Sequence, residues 1–159
     1  MKRLICFTLC FMLLMTGCGQ KDTVNFYYLR DSFQYGTHDG VIAAENRDIT
    51  GHKDHISFLL SLYLMGPQNE GTVTPFSVSA RLLSVERKMN GLVITLTDTQ
   101  DTLTDAEYVL ACACMTMTCL EILPIETVTI NSGERSQTLS REILTLYDSE
   151  TVTESTDGG

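Results

Sequence analysis

The sequence predicts a single small α+β domain in which two helices cover one face of a small mixed sheet. Three observations indicate this class. Several short segments are rich in aromatic and β-branched residues or alternate apolar with polar residues, as strands do. Two longer segments carry apolar residues at helical spacing, and Gly or Pro marks several of the junctions. Helices placed irregularly among strands favour α+β packing.

The first predicted elements are two strands and a helix. The segment VNFYYLR (24–30) indicates a strand, 31–40 a polar loop, and VIAAENRDI (41–49) a short second strand. The helix that follows from Lys53 ends at Gly66 and Pro67, because glycine supplies a left-handed cap and proline cannot continue a helix. Its apolar face comprises Ile56, Leu59, Leu60 and Tyr63.

A hairpin is predicted around Asn90 and Gly91, a dipeptide favoured in type I′ turns. Its strands would be 80–89 and 92–99. The expected opposed pairs are Met89 with Leu92, Arg87 with Ile94, and Val85 with Leu96. The face shared with the core would then carry Leu83, Val85, Met89, Leu92, Ile94 and Leu96.

A second helix is predicted after Thr104, which is expected to cap it. Asp105 and Glu107 fall in its first turn, where negative charge is favourable, and Pro124 lies just beyond its end. Its expected buried stripe comprises Ala106, Val109, Leu110, Ala113, Met117 and Leu120.

The rest of the chain is expected to supply the last strand of the sheet, a further extended segment and a C-terminal tail. Residues 126–130 indicate a strand with Val128 and Ile130 inward, which leaves Thr127 and Thr129 on an exposed threonine-bearing face. A turn at Asn131, Ser132 and Gly133 would lead to an extended segment at 136–144. The domain is therefore assigned to 24–147, and the acidic segment 148–159 is expected to be a disordered tail.

The N-terminal segment 1–17 is predicted to be a lipoprotein signal peptide. Two basic residues precede an apolar run that is too short to span a bilayer. The run ends in MTGC (15–18), which resembles the lipobox of bacterial lipoproteins, where cleavage precedes a cysteine that carries a diacylglyceryl group. Cys18 is thus the expected lipid attachment site (palmitate-type acyl chains), 18–23 the lipidated tether, and the extracytoplasmic face of the cell membrane the location. An ordinary secretory signal or a short N-terminal anchor helix is the alternative.

Charge and composition narrow the function classes. The chain has 159 residues, 43% of them hydrophobic, with 11 basic and 20 acidic side chains and a net charge of −9. The apolar content is enough for a core, whereas binding of nucleic-acid phosphates is not expected. Removing the signal peptide removes Lys2 and Arg3 and brings the charge near −11. We expect two acyl chains to hold the domain close to a bilayer whose anionic lipids repel its surface.

The mature domain keeps three cysteines, Cys112, Cys114 and Cys119, all within the second predicted helix. In a single helix Cys112 and Cys119 are too far apart for a disulfide, and Cys112 and Cys114 point in different directions. Buried free thiols that act as small apolar side chains are the expected state. A metal or redox role and an intermolecular disulfide are the alternatives.

No catalytic or metal-binding constellation is recognisable in the sequence. His52 and His55 share a helical spacing without a third ligand, and His38-Asp39 has no identifiable nucleophile. The carboxylates Asp98, Asp101 and Asp105 lack the spacing of a calcium-binding loop, so capping or solubility is the expected role. We therefore predict no enzymatic activity, no metal and no cofactor apart from the covalent lipid.

The segment from Leu60 to Leu139 resembles the GerMN domain of sporulation and spore-germination lipoproteins. The resemblance lies in LYLMGP (62–67), the Gly- and Pro-containing loop after it, and SARLLSVERKMNGLVITLTD (79–98). It implies a βαββα ring-building-type domain that mediates protein association. It implies structural roles only for Gly66, Pro67, Asn90 and Gly91.

Two functions follow as hypotheses. The first is a lipid-anchored scaffold protein of envelope complexes, with sporulation or germination as the process that the resemblance suggests. It would bind other envelope proteins or itself, with exposed sheet edges available for pairing. The second is a lipoprotein that captures a small ligand between helix and sheet. Its expected wall would be formed by Tyr27, Tyr28, Phe33 and Tyr35, which can equally serve as ordinary core and strand residues.

Overall fold

The computed structural model describes residues 21–31, 40–97 and 103–146. Within them the element order is ββαβββαββα. The strands are β1 (Thr23–Arg30), β2 (Ile42–Asp48), β3 (Thr72–Val73), β4 (Leu82–Lys88), β5 (Gly91–Leu96), β6 (Thr127–Ser132) and β7 (Arg135–Ser140). The helices are α1 (Ile56–Leu64), α2 (Asp105–Ile122) and α3 (Arg141–Leu146).

The strands form two sheets, where the sequence predicts one. An antiparallel three-stranded sheet has the order β2-β1-β3, and a mixed four-stranded sheet has the order β4-β5-β6-β7 with β5 and β6 parallel. Helix α2 packs against β1 as well as against β6 and β7, so it contacts both sheets. The α+β class and the mixed sheet are confirmed, and the buried apolar residues of both sheets belong to one core. None of the described helices is long and apolar enough to cross a membrane.

Helix α1 agrees with the predicted pattern but begins later than Lys53. Residues 50–54 form a turn instead, and His55 precedes the first helical residue without a side-chain cap. Leu59, Leu60 and Tyr63 are buried as predicted, and Ile56 is partly buried. Strand β3 lies in the segment expected to be a loop after the helix.

The hairpin forms, but its register is two residues away from the predicted one. The observed pairs are Lys88 with Gly91, Arg87 with Leu92, and Val85 with Ile94. The two turn residues are therefore Met89 and Asn90, and the predicted Asn90-Gly91 type I′ turn is wrong. A shift of two keeps each side chain on its face, so Leu92, Ile94 and Leu96 are buried as expected.

Two members of the predicted hairpin face lie outside the core. Leu83 sits at an irregularity in the pairing of β4 with β5, where its neighbour Leu82 pairs with Leu96. The irregularity is a β-bulge, in which one strand has an extra residue and the direction of the neighbouring side chains changes. Leu83 lies at this bulge and is 63% exposed. Met89 occupies the turn and is fully exposed.

The cap of α2 is confirmed, whereas its predicted stripe is wrong. Thr104 and Glu107 form a reciprocal capping box. Ala106 and Val109 are exposed, and the other four predicted stripe residues are only partly buried. Because α2 contacts both sheets, its buried surface is wider than a single stripe. The buried residues are Tyr108, Ala111, Cys112, Cys114, Met115, Thr116, Thr118 and Cys119.

The C-terminal strands differ from prediction at their ends. Val128 and Ile130 are buried as expected, but β6 continues to Ser132, so Asn131 and Ser132 belong to the strand and the turn falls at Gly133 and Glu134. The predicted extended segment 136–144 is extended only to Ser140, and α3 follows. The tail at 148–159 lies outside the described residues.

Candidate interaction surface

A buried ion pair on β2 holds the turn that follows α1. Glu45 and Arg47 are two residues apart on one face of the strand and are both almost fully buried. The Glu45 carboxylate accepts hydrogen bonds from Arg47 Nε, from Gln68 N at 3.0 Å and from Asn69 N at 2.9 Å. Arg47 Nη2 also donates to the Gly66 carbonyl oxygen at 2.9 Å. The turn is thus fixed by charge-assisted bonds, which are stronger than neutral ones.

Gly66 has the left-handed conformation predicted for it, with φ of 98°. It follows Met65, which ends α1, and its amide nitrogen donates to the Tyr63 carbonyl oxygen. The Tyr28 hydroxyl donates to the carbonyl oxygens of Tyr63 and Gly66 at 3.2 and 3.3 Å. The end of α1 is therefore held by side chains from two strands.

Gly91 serves a different purpose from the one its dipeptide suggests. Its φ lies outside the left-handed region. A Cβ at this position would lie 2.6 Å from Thr127 Oγ1 and 3.1 Å from the Thr127 carbonyl oxygen. Gly91 pairs with Thr127 in the parallel ladder of β5 and β6, so the absence of a side chain permits the close approach of these strands.

Strand β4 is an edge of the four-stranded sheet. Among the described residues it pairs with β5 alone, so alternate backbone N–H and C=O groups face away from the sheet. Basic side chains accompany it at Arg81, Arg87 and Lys88. The acidic residue of the strand is Glu86, which pairs with Lys88 at 3.0 Å. The strand thus carries two basic and one acidic side chain, in a chain with almost twice as many acidic as basic residues.

An open apolar groove adjoins the start of β4. It has a volume of about 460 Å³ and lies between the C-terminal end of α1 and the segment leading into the strand. Met65 and Val78 stand at its border with exposures of 84% and 81%. The Arg81 guanidinium donates to the carbonyl oxygens of Val78 and Ala80 at 2.7 and 2.8 Å and thereby holds the wall in place. We call β4 together with Met65, Val78 and Leu83 the edge surface.

The sequence contains little indication of the edge surface. Leu83 and Met89 alternate like inward residues, and only the bulge and the shifted turn expose them. Sequence reasoning also misses the buried pair Glu45–Arg47, because a charged residue on a short strand normally faces solvent. A usable signal is the concentration of three basic residues within 81–88.

The predicted buried thiols are confirmed. Cys112, Cys114 and Cys119 are free and buried, and burial raises the pKa of each thiol to about 12 from an ordinary value of 9.0. Thiols in this state are poor nucleophiles, because the thiolate is the reactive form. The described residues contain no group of three or more side chains arranged to hold a metal ion.

The other candidate residues do not assemble into a site within the described chain. The His52 and His55 rings are 6.3 Å apart, and His52 packs on Phe58 with ring centroids separated by 4.4 Å. Asp105 lies 3.4 Å from Arg135. The described segments exclude Cys18, His38, Asp39, Asp98 and Asp101.

Of the four aromatic residues expected to form a wall for a small ligand, the structure describes Tyr27 and Tyr28. Tyr28 is buried and stacks on Tyr63 with centroids 4.9 Å apart. Tyr27 donates its hydroxyl to Glu121 at 2.8 Å, and burial together with this bond raises its pKa to about 12. Phe33 and Tyr35 fall outside the described residues. Tyr28 is thus a core residue, and Tyr27 ties β1 to α2.

The fold is found in solved structures. The tandem GerMN domains of the sporulation protein GerM from Bacillus subtilis superpose with a TM-score of 0.51 at 16% identity, covering 72% of this chain and 40% of that one. A protein from Clostridium perfringens described as a lipoprotein superposes with a TM-score of 0.48 at 14% identity, covering 77% and 89%. No protein-family model and no curated protein matches the sequence. This chain thus spans well under half the length of the GerM structure, and its described domain has the GerMN fold.

Proposed function

We propose that the chain is a lipid-anchored, extracytoplasmic protein-association module without enzymatic activity, and that the edge surface is where its partner binds. The edge surface is the observation that carries the proposal. It combines outward-facing backbone groups, exposed apolar side chains and a local excess of basic residues. These features suit the addition of an extended partner segment to the sheet, with backbone bonds for affinity and side chains for specificity.

The chemistry of the edge surface favours a segment with acidic side chains. Successive side chains of a strand point to opposite faces, and Lys88 is paired with Glu86. Arg87 would therefore contact the partner near one end of β4, and the groove bordered by Met65 and Val78 would receive an apolar side chain near the other end. The bulge at Leu83 and the basic side chains discourage pairing with an arbitrary strand. The same features therefore restrict association to a complementary partner.

The non-enzymatic part of the proposal is supported by how the described polar groups are used. Glu45 and Arg47 are engaged by the turn after α1, and the three thiols are buried with raised pKa values. His52 packs on Phe58. Each of these groups thus has a structural contact or is kept in its unreactive form.

The lipid anchor is supported by the MTGC sequence at 15–18. It is tested by comparing the wild-type chain with Cys18→Ala in the producing bacterium. We expect the wild type to fractionate with membranes and to gain the mass of a diacylglyceryl group, and the variant to lose both properties. Equal mass, processing and fractionation of the two chains would contradict lipidation.

Sporulation or spore germination is the process we propose, since the GerMN domains with the same fold belong to a sporulation protein. Association is tested by crosslinking in native membranes followed by affinity purification and mass spectrometry. We expect one recurrent envelope protein or a ladder of self-linked species with the wild type. The double variant Leu83→Glu/Arg87→Glu should lose it, whereas Thr138→Glu on β7, at the opposite edge of the same sheet, should retain it. Equal recovery from all three chains would contradict the edge surface as the binding site.

A further inference from the structure

A pocket lies at the opposite end of β4 from the groove. It has a volume of about 230 Å³ and is lined by Asp54, Ile56, Val85, Arg87, Leu92 and Leu123. The apolar members of this lining belong to the core or pack against it. Pockets that hold whole small molecules typically measure about 300–1,000 Å³, so this one is suited to a single apolar side chain.

The pocket and the groove lie along one crevice between α1 and β4. The pocket contacts Ile56 at the start of α1 and Arg87 near the end of β4. The groove contacts Leu64 at the end of α1 and Leu82 at the start of β4. Helix α1 packs beside β4 and therefore runs antiparallel to it. Because β4 is the edge of its sheet, both sites adjoin that edge.

The two elements that border the crevice give the distance between the pocket and the groove. Along α1, Ile56 and Leu64 are eight residues apart, which corresponds to about 12 Å. Along β4, Leu82 and Arg87 are five residues apart, which corresponds to at most about 17 Å. The two sites are therefore separated by about 12–17 Å.

The lining residues of β4 also fix which face of an added strand would meet the crevice. Val85 and Arg87 pair with Ile94 and Leu92, which are buried, so their side chains lie on the core side of the sheet. A segment added to β4 alternates its side chains in the same way, and every second one would face the crevice. Four residues of a strand span about 14 Å, whereas two or six span about 7 or 20 Å. Four is thus the even spacing that matches the two sites.

The charges beside the pocket are balanced. Arg87 and Asp54 are both exposed there, and neither has an ion pair or a hydrogen bond to another described residue. Lys88 is paired with Glu86. Apolar fit therefore has the larger part in selecting a segment, and Arg87 offers one charge-assisted bond on the strand side of the pocket.

We infer that the partner segment is extended and carries two apolar side chains four residues apart, one for the pocket and one for the groove. An acidic residue two positions beyond the side chain in the pocket lies on the same face and meets Arg87. The inference rests on the proposed function, since the segment adds to the edge of β4. It assigns the partner a sequence pattern that strand addition alone does not require.

Capped, fluorescein-labelled peptides with a threonine and serine background serve as the probe. The test peptides carry two leucines four residues apart and one glutamate two positions outside the pair. The glutamate precedes the leucines in one version and follows them in the other, which covers both directions along β4. In the control peptides one leucine is moved by one position, so that it lies on the other face.

Fluorescence anisotropy with the purified full-length chain measures the dissociation constants. We expect one test peptide to bind at least about tenfold more tightly than its control, because the control leaves one leucine in water. Equal binding of test and control peptides would overturn the inference.

Matched variants locate the binding. Val85→Phe fills the pocket, whereas Val93→Phe makes the same change on the opposite face of the neighbouring strand. We expect the preference for the test peptide to disappear in the first variant and to persist in the second. Arg87→Glu leaves the apolar lining intact, and it should weaken binding of the test peptide more than binding of the same peptide with glutamine for glutamate. A preference unchanged in Val85→Phe, or equal effects of Arg87→Glu on the two peptides, would contradict the assignment.

Failure of the inference and failure of the proposed function give different results. If no peptide binds but the wild type still crosslinks to its partner in native membranes, the two-site pattern is wrong and association at β4 stands. If the wild type yields no crosslinked species in native membranes, the proposed function itself is contradicted, whichever peptides bind.

Discussion

Within the described chain, strands β2 and β4 are both sheet edges and both carry charged residues. The ion pair of β2 is buried, whereas the charged side chains of β4 are exposed. In β2, Glu45 and Arg47 point inward and bind the turn after α1. In β4, Arg87 and Lys88 are exposed and accompany a bulge and an apolar groove. Inward charges on an edge strand discourage pairing with other chains. The inward charges of β2 therefore stabilise this fold, whereas those of β4 stay exposed at the edge where we propose that a partner binds.

Removing the inward charge of β2 should have the largest effect on the fold. Glu45→Ala leaves Arg47 buried without its partner, so we expect the free energy of unfolding to fall by about 3–5 kcal/mol. Chemical denaturation of the mature domain measures this. Glu86→Ala is the matched control on β4, because its exposed pair with Lys88 should change stability by less than about 1 kcal/mol. Similar losses in the two variants would remove the distinction between the strands.

Alkaline pH should destabilise the interior through the buried thiols of α2. The folded thiols have pKa values of about 12 against an ordinary 9.0, so above pH 9 the unfolded chain binds fewer protons than the folded one. Stability therefore falls as pH rises, by up to about 1.4 kcal/mol per pH unit for each thiol. Denaturation between pH 9 and 10 measures the slope. Cys112→Ala should reduce it by about a quarter, because the raised pKa values of Tyr27, Tyr28, Tyr63 and Tyr108 contribute to the slope beside the other two thiols. A slope unchanged in that variant would contradict the assignment to the thiols.

The hairpin turn offers a smaller test of the contact between β5 and β6. Gly91→Ala introduces a Cβ that meets Thr127, so we expect a loss of about 1–3 kcal/mol. Adding Thr127→Ala removes the nearer atom, Oγ1, and should restore part of the loss, since the carbonyl oxygen at 3.1 Å remains. Thermal unfolding of the single and double variants measures both effects. An additive double variant would show that the steric contact is not the cause.

The outward residues of β4 should have the smallest effect on stability. Leu83→Glu/Arg87→Glu changes two exposed side chains, so the free energy of unfolding should change by less than about 0.5 kcal/mol per site. Its effect should instead appear in the yield of crosslinked partner. Calorimetry measures the stability of the variant, and crosslinking in membranes measures its association. If the variant lost crosslinking because it had unfolded, β4 would be as important for the fold as β2, contrary to our account.

The sequence predicts best what depends on neighbouring residues. The Thr104 cap, the alternation of Val128 and Ile130 and the left-handed Gly66 are local features, and each is as predicted. The register of the hairpin depends on the approach of β6 to Gly91, which no local pattern reveals. Which residues of α2 are buried depends on its contact with two sheets. Whether Leu83 is exposed depends on the bulge in β4. The edge surface could not be predicted for that reason, since tertiary pairing creates it.

Association through the outer side of β4 is the claim on which the proposed function depends. The most direct test places a photo-reactive amino acid at Leu83 and, in a second chain, at Thr138, an exposed residue of β7. Both chains are irradiated in native membranes at equal expression. We predict a discrete crosslinked species from position 83 and little or none from position 138. A crosslinked species from position 138 alone, or only uncrosslinked chain from both, would contradict the claim.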